Sequence, residues 1–416
     1  MLGGKSGSVR LFDAAKEVTA WASSPRTIRT AVLVTSALLL IVQAAAIAIR
    51  WRWYQYDFRA YYIGPKLAAI GEDPYSIDAL VRMSASLGLE SNNNPFVYPP
   101  HMLAVFAPFS VLPYPVAYGL WLFLQIAALS TVFLVATKRF DIDRVWLAAF
   151  LAMGLNGTVA GCLRSGQLTL MFTALTLLAA SSLSRGHAGR ATILLTIAAL
   201  PKIWTAPMIG LVLCRPTFHR LMLVTLGCGV ILSVLAVDYF WVPDYSDRFV
   251  ARAHRISQIG AQPIGFIDGS LHNLTRTVGH ALNLNNHLVL ACWVISVSII
   301  VFATLSSCIR ILRRDLHQIT HVVFLASLGL ILINPRVLFY QWCFVVPAIA
   351  FLAPKIKSRI LQVLLVGITL TPTLYINRYL FDIDLPQRVE SIVAIPWGFS
   401  NLIAVFAFWL VARRIG

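Results

Sequence analysis

The side chain in this sequence best placed for acid–base chemistry is Asp57, set among aromatic residues in WYQYDFRAYYIGPKLAAIGEDPY. It follows directly on the first long apolar run, so its carboxylate emerges close to a hydrocarbon boundary. Burial there moves a carboxyl pKa upward, toward the range in which a carboxylate takes a proton from a hydroxyl. On a helix, Asp57, Tyr61 and Gly64 share a face, with Tyr54 one turn earlier. The same spacing also fits a plainer role, an aspartate that caps a helix or pairs with Arg52 or Arg59.

Cations come next, because an anionic leaving group needs them. Lys202 lies in the middle of an apolar stretch, where a lone charge costs about 2.5 to 3.5 kcal/mol, so it faces protein, water or an anion, or it snorkels to an interface. Arg336 follows Asn334 and Pro335 at the end of an apolar run, and Arg164 opens the short turn RSGQ. Either arginine suits bidentate phosphate contact, and either suits an ordinary helix end. His272, Asn273 and Arg276, in GSLHNLTR, offer hydrogen bonds to hydroxyls or phosphate, or else the exposed start of a helix. Tyr98, before Pro99 and Pro100, is held by a rigid turn that suits a sugar pocket and an aromatic belt equally.

The elements that must position these groups are membrane helices. Hydrophobic residues make up 58% of the 416, charged residues 12%, and the mean hydropathy is +0.75, far from soluble usage. Apolar runs fall near 30–49, 114–137, 145–163, 167–184, 220–240, 287–309, 320–334, 338–353, 359–376 and 391–412. Between Arg190 and Arg215 a longer stretch is broken by Pro201, Lys202 and Pro207, which predicts two bent half-helices. The expected fold is therefore an all-α polytopic membrane protein. Residues 1–29 form a cytoplasmic tail, and 30–416 form one transmembrane domain with outer loops at about 50–113 and 241–286.

Charge supports that threading. With the hairpin at 190–215, the inner segments hold 20 of the 34 Lys and Arg but only 5 of the 17 acids. The excess of bases sits where the positive-inside rule requires it. The net charge of +17 is thus a topology signal and not a nucleic-acid surface. LFDAAKEVTAWA near the N-terminus suits an interfacial helix, and the first apolar run reads as an uncleaved anchor. The six cysteines lie in or beside apolar runs without a CxxC pair, and read as small core residues. No glycine-rich phosphate loop is present, since GGKSG lacks the required spacing, so an activated donor is something other than a nucleoside triphosphate. Neither a cofactor nor a metal is required by these residues.

Several segments in order, DFRAYYIGPKLAAIGEDPY, VYPPHMLAVFAPFSVLP, RSGQLTL, LPKIWTAP, DGSLHNLTR and NPRVLFYQW, resemble motifs of glycosyltransferase family 87, polyprenyl-phosphate-sugar-dependent membrane enzymes. The resemblance implies a GT-C glycosyltransferase fold of about 10 to 12 transmembrane or half-membrane helices. It implies inverting transfer of a hexose, mannose first, from a polyprenyl-monophosphate donor to a glycolipid or envelope-glycan acceptor. The site would face outward from a bacterial plasma membrane, with Asp57 as the base. Lys202, Arg336, His272, Arg276 and Arg164 would bind donor phosphate. Tyr61, Tyr98, Gln167, Asn273 and Tyr340 would line the sugar or acceptor site. The chain departs from the mycobacterial mannosyltransferases of this group, which carry paired histidines where it has Tyr340 and Gln341, so glucose, galactose or a pentose stays open. A lipid flippase or transporter is the alternative that the spans and the proline-broken hairpin also fit.

Overall fold

The structure, a computed structural model, describes residues 25–50, 52, 54–89, 94, 96–214, 217–259, 269–314, 318–370 and 399–415. The expected interfacial helix in the N-terminal tail, Asp268, and the apolar stretch on either side of 371–398 lie wholly or partly outside the described residues. Within them the chain is helical, with no strand.

Helix α1 (Pro25–Ile49) leads into a first long connection that is itself folded. It contains α2 (Tyr56–Ala69), α3 (Ile77–Ser86) and α4 (His101–Ser110). Then come α5 (Tyr114–Arg139), α6 (Arg144–Ser165), α7 (Thr169–Ser184) and α8 (Ala188–Ala199), followed by a 3-10 helix, Ile203–Cys214. Helix α9 (Phe218–Trp241) precedes a second connection holding α10 (Pro243–Ile259) and α11 (Leu271–Ala281). The remainder is α12 (Asn286–Arg314), α13 (Ile319–Ile333), a 3-10 turn Phe339–Val345, α14 (Val346–Leu352), α15 (Arg359–Leu370) and α16 (Ser400–Ile415).

Four of these helices, α1, α5, α9 and α12, are long and apolar enough to cross a membrane. A fifth span is available if the two halves of α6 count as one; they meet at 65° around Leu155 and Gly157, both with positive φ. Six further apolar helices are shorter, α4, α7, α8, α13, α15 and the 3-10 helix Ile203–Cys214. Among the described residues, the expected 10 to 12 transmembrane or half-membrane helices are represented by these full-length helices and the shorter apolar ones between them. Long helices such as α9 and α12 expose Leu221, Leu226, Ile295 and Phe302, which is stable where the solvent is lipid. Cys228 and Cys292 lie on those exposed surfaces, so they are not core residues as expected; any apolar side chain suffices there.

What fixes α2 is a close backbone approach. The turn between α6 and α7 runs through Gly166, whose φ of +81° is left-handed. A Cβ on Gly166 would lie 2.9 Å from Phe58 Cβ and 3.1 Å from Phe58 N. Three groups bind this turn's carbonyls. The Gln55 N–H donates to Arg164 O at 2.6 Å, Trp121 Nε1 to Gly166 O at 2.9 Å, and Gln125 Nε2 to Cys162 O and Gln167 O, both at 3.1 Å. Gln55 itself sits at φ 58°, so the chain turns there and α2 starts at Tyr56. Tyr54 consequently lies outside the helix and not one turn up the Asp57 face. Phe58 stacks on Trp121 at 5.1 Å and 17°, and its complete burial contributes about 1.5 to 3 kcal/mol.

Replacing Gly166 with alanine combines an unfavourable φ with a clash against Phe58, a cost of about 1 to 3 kcal/mol. The expected result is a lower thermal midpoint in detergent, read by intrinsic fluorescence, with Asp57 displaced. An unchanged midpoint would mean that α2 is not set by this contact.

Candidate active site

Asp57 lies in the first turn of α2 and is 6% exposed. Its Oδ1 accepts a 2.7 Å hydrogen bond from Asn94 Nδ2, while Oδ2 is buried and accepts none. Burial pushes its pKa above the ordinary carboxylate value. Asn94, Gln167, the Lys202 charge and Ser165 oppose that rise but do not cancel it. A carboxylate with one oxygen anchored and the other unengaged is arranged to receive a proton.

The positive group beside it is Lys202. Pro201 cannot continue α8, so the chain breaks and returns as the 3-10 helix Ile203–Cys214, which packs against α8. The predicted pair of half-helices is therefore present, the second in 3-10 form. Thr205 Oγ1 donates to the carbonyls of Ala198 and Lys202, both at 3.1 Å, and so satisfies part of the broken backbone. Lys202 occupies the turn. Its Nζ donates to Gln167 Oε1 at 3.1 Å and lies 5.4 Å from the Tyr98 ring centre and 5.5 Å from that of Tyr340. It points into protein and does not snorkel.

Gln167 joins the two charges. Lysine has only donors, so the atom facing it must be the amide oxygen. That oxygen also accepts from the Tyr98 hydroxyl at 3.2 Å, and the Tyr98 hydroxyl shares a 2.8 Å hydrogen bond with that of Tyr61. Tyr61 is held by stacking on Phe106, 4.5 Å between centroids at 9°. The Gln167 oxygen is thereby occupied by two donors, which leaves its NH2 for the Asp57 side.

Six of the sequence-derived candidates therefore share one cluster: Asp57, Tyr61, Tyr98, Gln167, Lys202 and Tyr340. Arg336 lies within electrostatic range of Lys202 and Tyr340. Its N–H donates to Asn334 Oδ1 at 3.2 Å. The second connection is tied to the same segment, since Gly269 N–H donates to Val337 O and Ser270 Oγ to Pro335 O, each at 2.9 Å.

The other candidates are placed differently. Arg164 carries its guanidinium over the Tyr54 ring at 4.8 Å, at the base of α2. His272 meets the edge of Trp293 at 5.0 Å. Asn273 is buried within α11, where Ser270 caps the helix by accepting from the Asn273 N–H. Arg276 is half-buried on the same helix. Asp57 has no salt bridge to Arg52 or Arg59; the Arg59 guanidinium donates to the Arg52 carbonyl instead. Glu72 and Asp73 lie in the turn after α2, Asp73 Oδ1 accepting from the Tyr75 N–H at 2.9 Å. Asn94 was missed by sequence reasoning. Its only local signal was the run NNNP within the first connection.

The profile of glycosyltransferase family 87 matches residues 96–335, more than half of the chain. No curated protein matches it.

Asn94 donates to the charged form of Asp57, so its loss must favour the protonated form. Asn94→Ala is expected to move the Asp57 titration further upward. Infrared spectroscopy checks this through the protonated-carboxyl stretch that Asp57→Asn abolishes; a shift to lower pH would contradict the role given to Asn94.

Proposed function

We propose, on the premise that this chain belongs to glycosyltransferase family 87 and is a membrane glycosyltransferase, that it moves a hexose from a polyprenyl-monophosphate donor to a lipid or envelope-glycan acceptor. Mannose is the first candidate for the hexose. The reaction takes place at the outer face of a bacterial plasma membrane and inverts the anomeric centre. The observation that carries this reading is the buried pair of Asp57, whose Oδ2 accepts no hydrogen bond from the protein, and Lys202, held beside it by Gln167.

The chemistry follows from that pair. The acceptor hydroxyl gives its proton to Asp57 Oδ2 as its oxygen attacks the anomeric carbon. The bond from that carbon to the phosphate oxygen breaks, and the electron pair leaves with the polyprenyl phosphate. Lys202 meets the charge that develops on that oxygen, and Arg336 adds to the local field. Tyr61, Tyr98 and Tyr340 surround the reacting centre with apolar faces and three hydroxyls, suited to holding a sugar ring. Asp57 then releases its proton to water.

His272, Asn273 and Arg276 belong to a helix that reaches the Arg336 segment through Ser270, and they serve the acceptor or the donor phosphate from that side. Arg164 supports the base of α2. A flippase would need none of this pairing between a base and a phosphate cation.

The test is transfer from a panel of radiolabelled polyprenyl-phosphate sugars to envelope lipid extract, with protein reconstituted in lipid. Asp57→Asn is expected to lose about 100-fold or more of the rate, the size of a general-base contribution. In the wild type, rate should fall as pH drops through the raised Asp57 pKa, because only the carboxylate accepts the proton; the acid limb therefore lies above the ordinary carboxylate range. Undiminished transfer by Asp57→Asn removes it as the base. Lipid movement without transfer from any donor would favour the flippase.

A further inference from the structure

The turn that carries Lys202 is gripped by a residue with no part in the chemistry above. Helix α8 ends at Ala199 with Leu200 as its C-cap, just before Pro201, and the last carbonyls of a helix lack partners within it. One of them, Leu200 O, lies 3.2 Å from His101 Nε2. The other ring nitrogen, Nδ1, lies 2.6 Å from Asp238 Oδ2. The His101 side chain is 13% exposed and that of Asp238 7%.

The partners hold the ring. A carbonyl oxygen only accepts, so Nε2 donates to Leu200 O, while Nδ1 shares its hydrogen bond with the Asp238 carboxyl. His101 therefore ties the C-terminal end of α8 to Asp238 through its two ring nitrogens. With both nitrogens engaged, it has none left for substrate, which excludes a role as acid or base.

His101 also begins α4, three residues after Tyr98, and Pro99 and Pro100 fix the chain between them. Tyr98 holds Lys202 from one side, with its ring 5.4 Å from Nζ. Its own carbonyl is fixed by the Tyr75 hydroxyl at 3.0 Å. His101 holds the backbone of the same turn from the other side. Asp238, in the last turn of α9, ties this arrangement to the start of the second long connection.

We propose that His101 is a positioning residue for Lys202, acting through the Leu200 carbonyl, with Asp238 as its orienting partner. This rests on reading Lys202 as the cation for a lipid phosphate. A lysine stem is flexible, so what must be fixed is the backbone from which it starts. Misplacement of a reacting group by about 1 Å can cost about 100-fold in rate.

The experiment uses full-length protein in lipid nanodiscs and two readouts, binding of undecaprenyl phosphate and sugar transfer. His101→Asn keeps a donor near the Nδ1 position, toward Asp238, but cannot reach Leu200 O. His101→Gln keeps a donor near the Nε2 position, toward Leu200 O, but loses the contact with Asp238. The expected result is that His101→Asn weakens both readouts about 10- to 100-fold, that His101→Gln loses clearly less, and that His101→Asn costs nothing further when Lys202→Met is already present. A purely structural ion pair predicts the reverse order of the two variants and an undiminished loss in the Lys202→Met background; either outcome overturns the proposal. If His101→Asn does not fold, His101→Gln carries the test, and a loss as large as that of Lys202→Met overturns it. The two readings fail separately. Phosphate-lipid binding that depends on Lys202 and His101, without transfer from any donor, sinks the glycosyltransferase reading alone, whereas transfer and binding unaffected by His101→Asn sink this one alone.

Discussion

The contact on which the site depends is the backbone approach between Gly166 and the start of α2. It needs a residue without Cβ at a left-handed φ, because any side chain there would meet Phe58 within 3 Å. Gln55, Trp121 and Gln125 spend their polar groups on the carbonyls of the same turn. The result is that Asp57 and Gln167, 110 positions apart in sequence, are referred to one rigid junction. Gln167 stands one residue beyond Gly166 and Asp57 one residue before Phe58, so the junction that packs Phe58 also sets the distance from base to amide.

Burying a carboxylate and an ammonium in an apolar bundle is costly unless each is met by polar partners. Here the expense is spread over neutral groups. Asn94 serves one carboxylate oxygen, and Gln167 accepts from the ammonium, with aromatic faces of Tyr98 and Tyr340 close by. Neutral mediators leave both charges available to a ligand, since a direct, tight ion pair would have to be broken before either could act. The tyrosine ladder from Tyr61 through Tyr98 completes the satisfaction of the Gln167 oxygen, and stacking of Tyr61 on Phe106 keeps it in place.

Much of this was legible in the sequence, for reasons that are local. An aspartate inside an aromatic run beside the first span, and a lysine next to a proline inside an apolar stretch, are both anomalies that a membrane environment makes expensive; each marks the site. The half-helix break at Pro201 follows from the missing N–H of proline alone. What was not legible depends on distant partners. Tyr54 left the Asp57 face because Gln55 adopts φ 58° to meet the Arg164 carbonyl, and nothing in the glutamine announces that. Asn94, and the His101–Asp238 pair across 137 positions, are ordinary residues until the chain is folded around them. The division between full spans and shorter helices was less legible. Short apolar runs such as those in α8, α13 and α14 have the composition of membrane helices without the length of a single straight span.

The shared position of Lys202 has a consequence for the order of events under the proposed reaction. With no donor bound, the ammonium is one of the groups that restrain the pKa of Asp57. A donor phosphate brings a negative charge to the same ammonium. Part of its field is then spent on the phosphate, and the phosphate adds a negative charge near the carboxylate. Both effects act in the same direction and make Asp57 a stronger base. The base is therefore strongest when the donor is in place and weakest when the site holds only water, so a stray hydroxyl is not deprotonated in advance. Breakage of the glycosyl–phosphate bond then increases the charge on the leaving phosphate, strengthening its hold on Lys202 at the moment when Asp57 has become neutral and no longer competes for it. Under the proposed reaction a single lysine, placed by a proline-broken turn and held by the Gln167 amide oxygen, thus serves each partner in sequence.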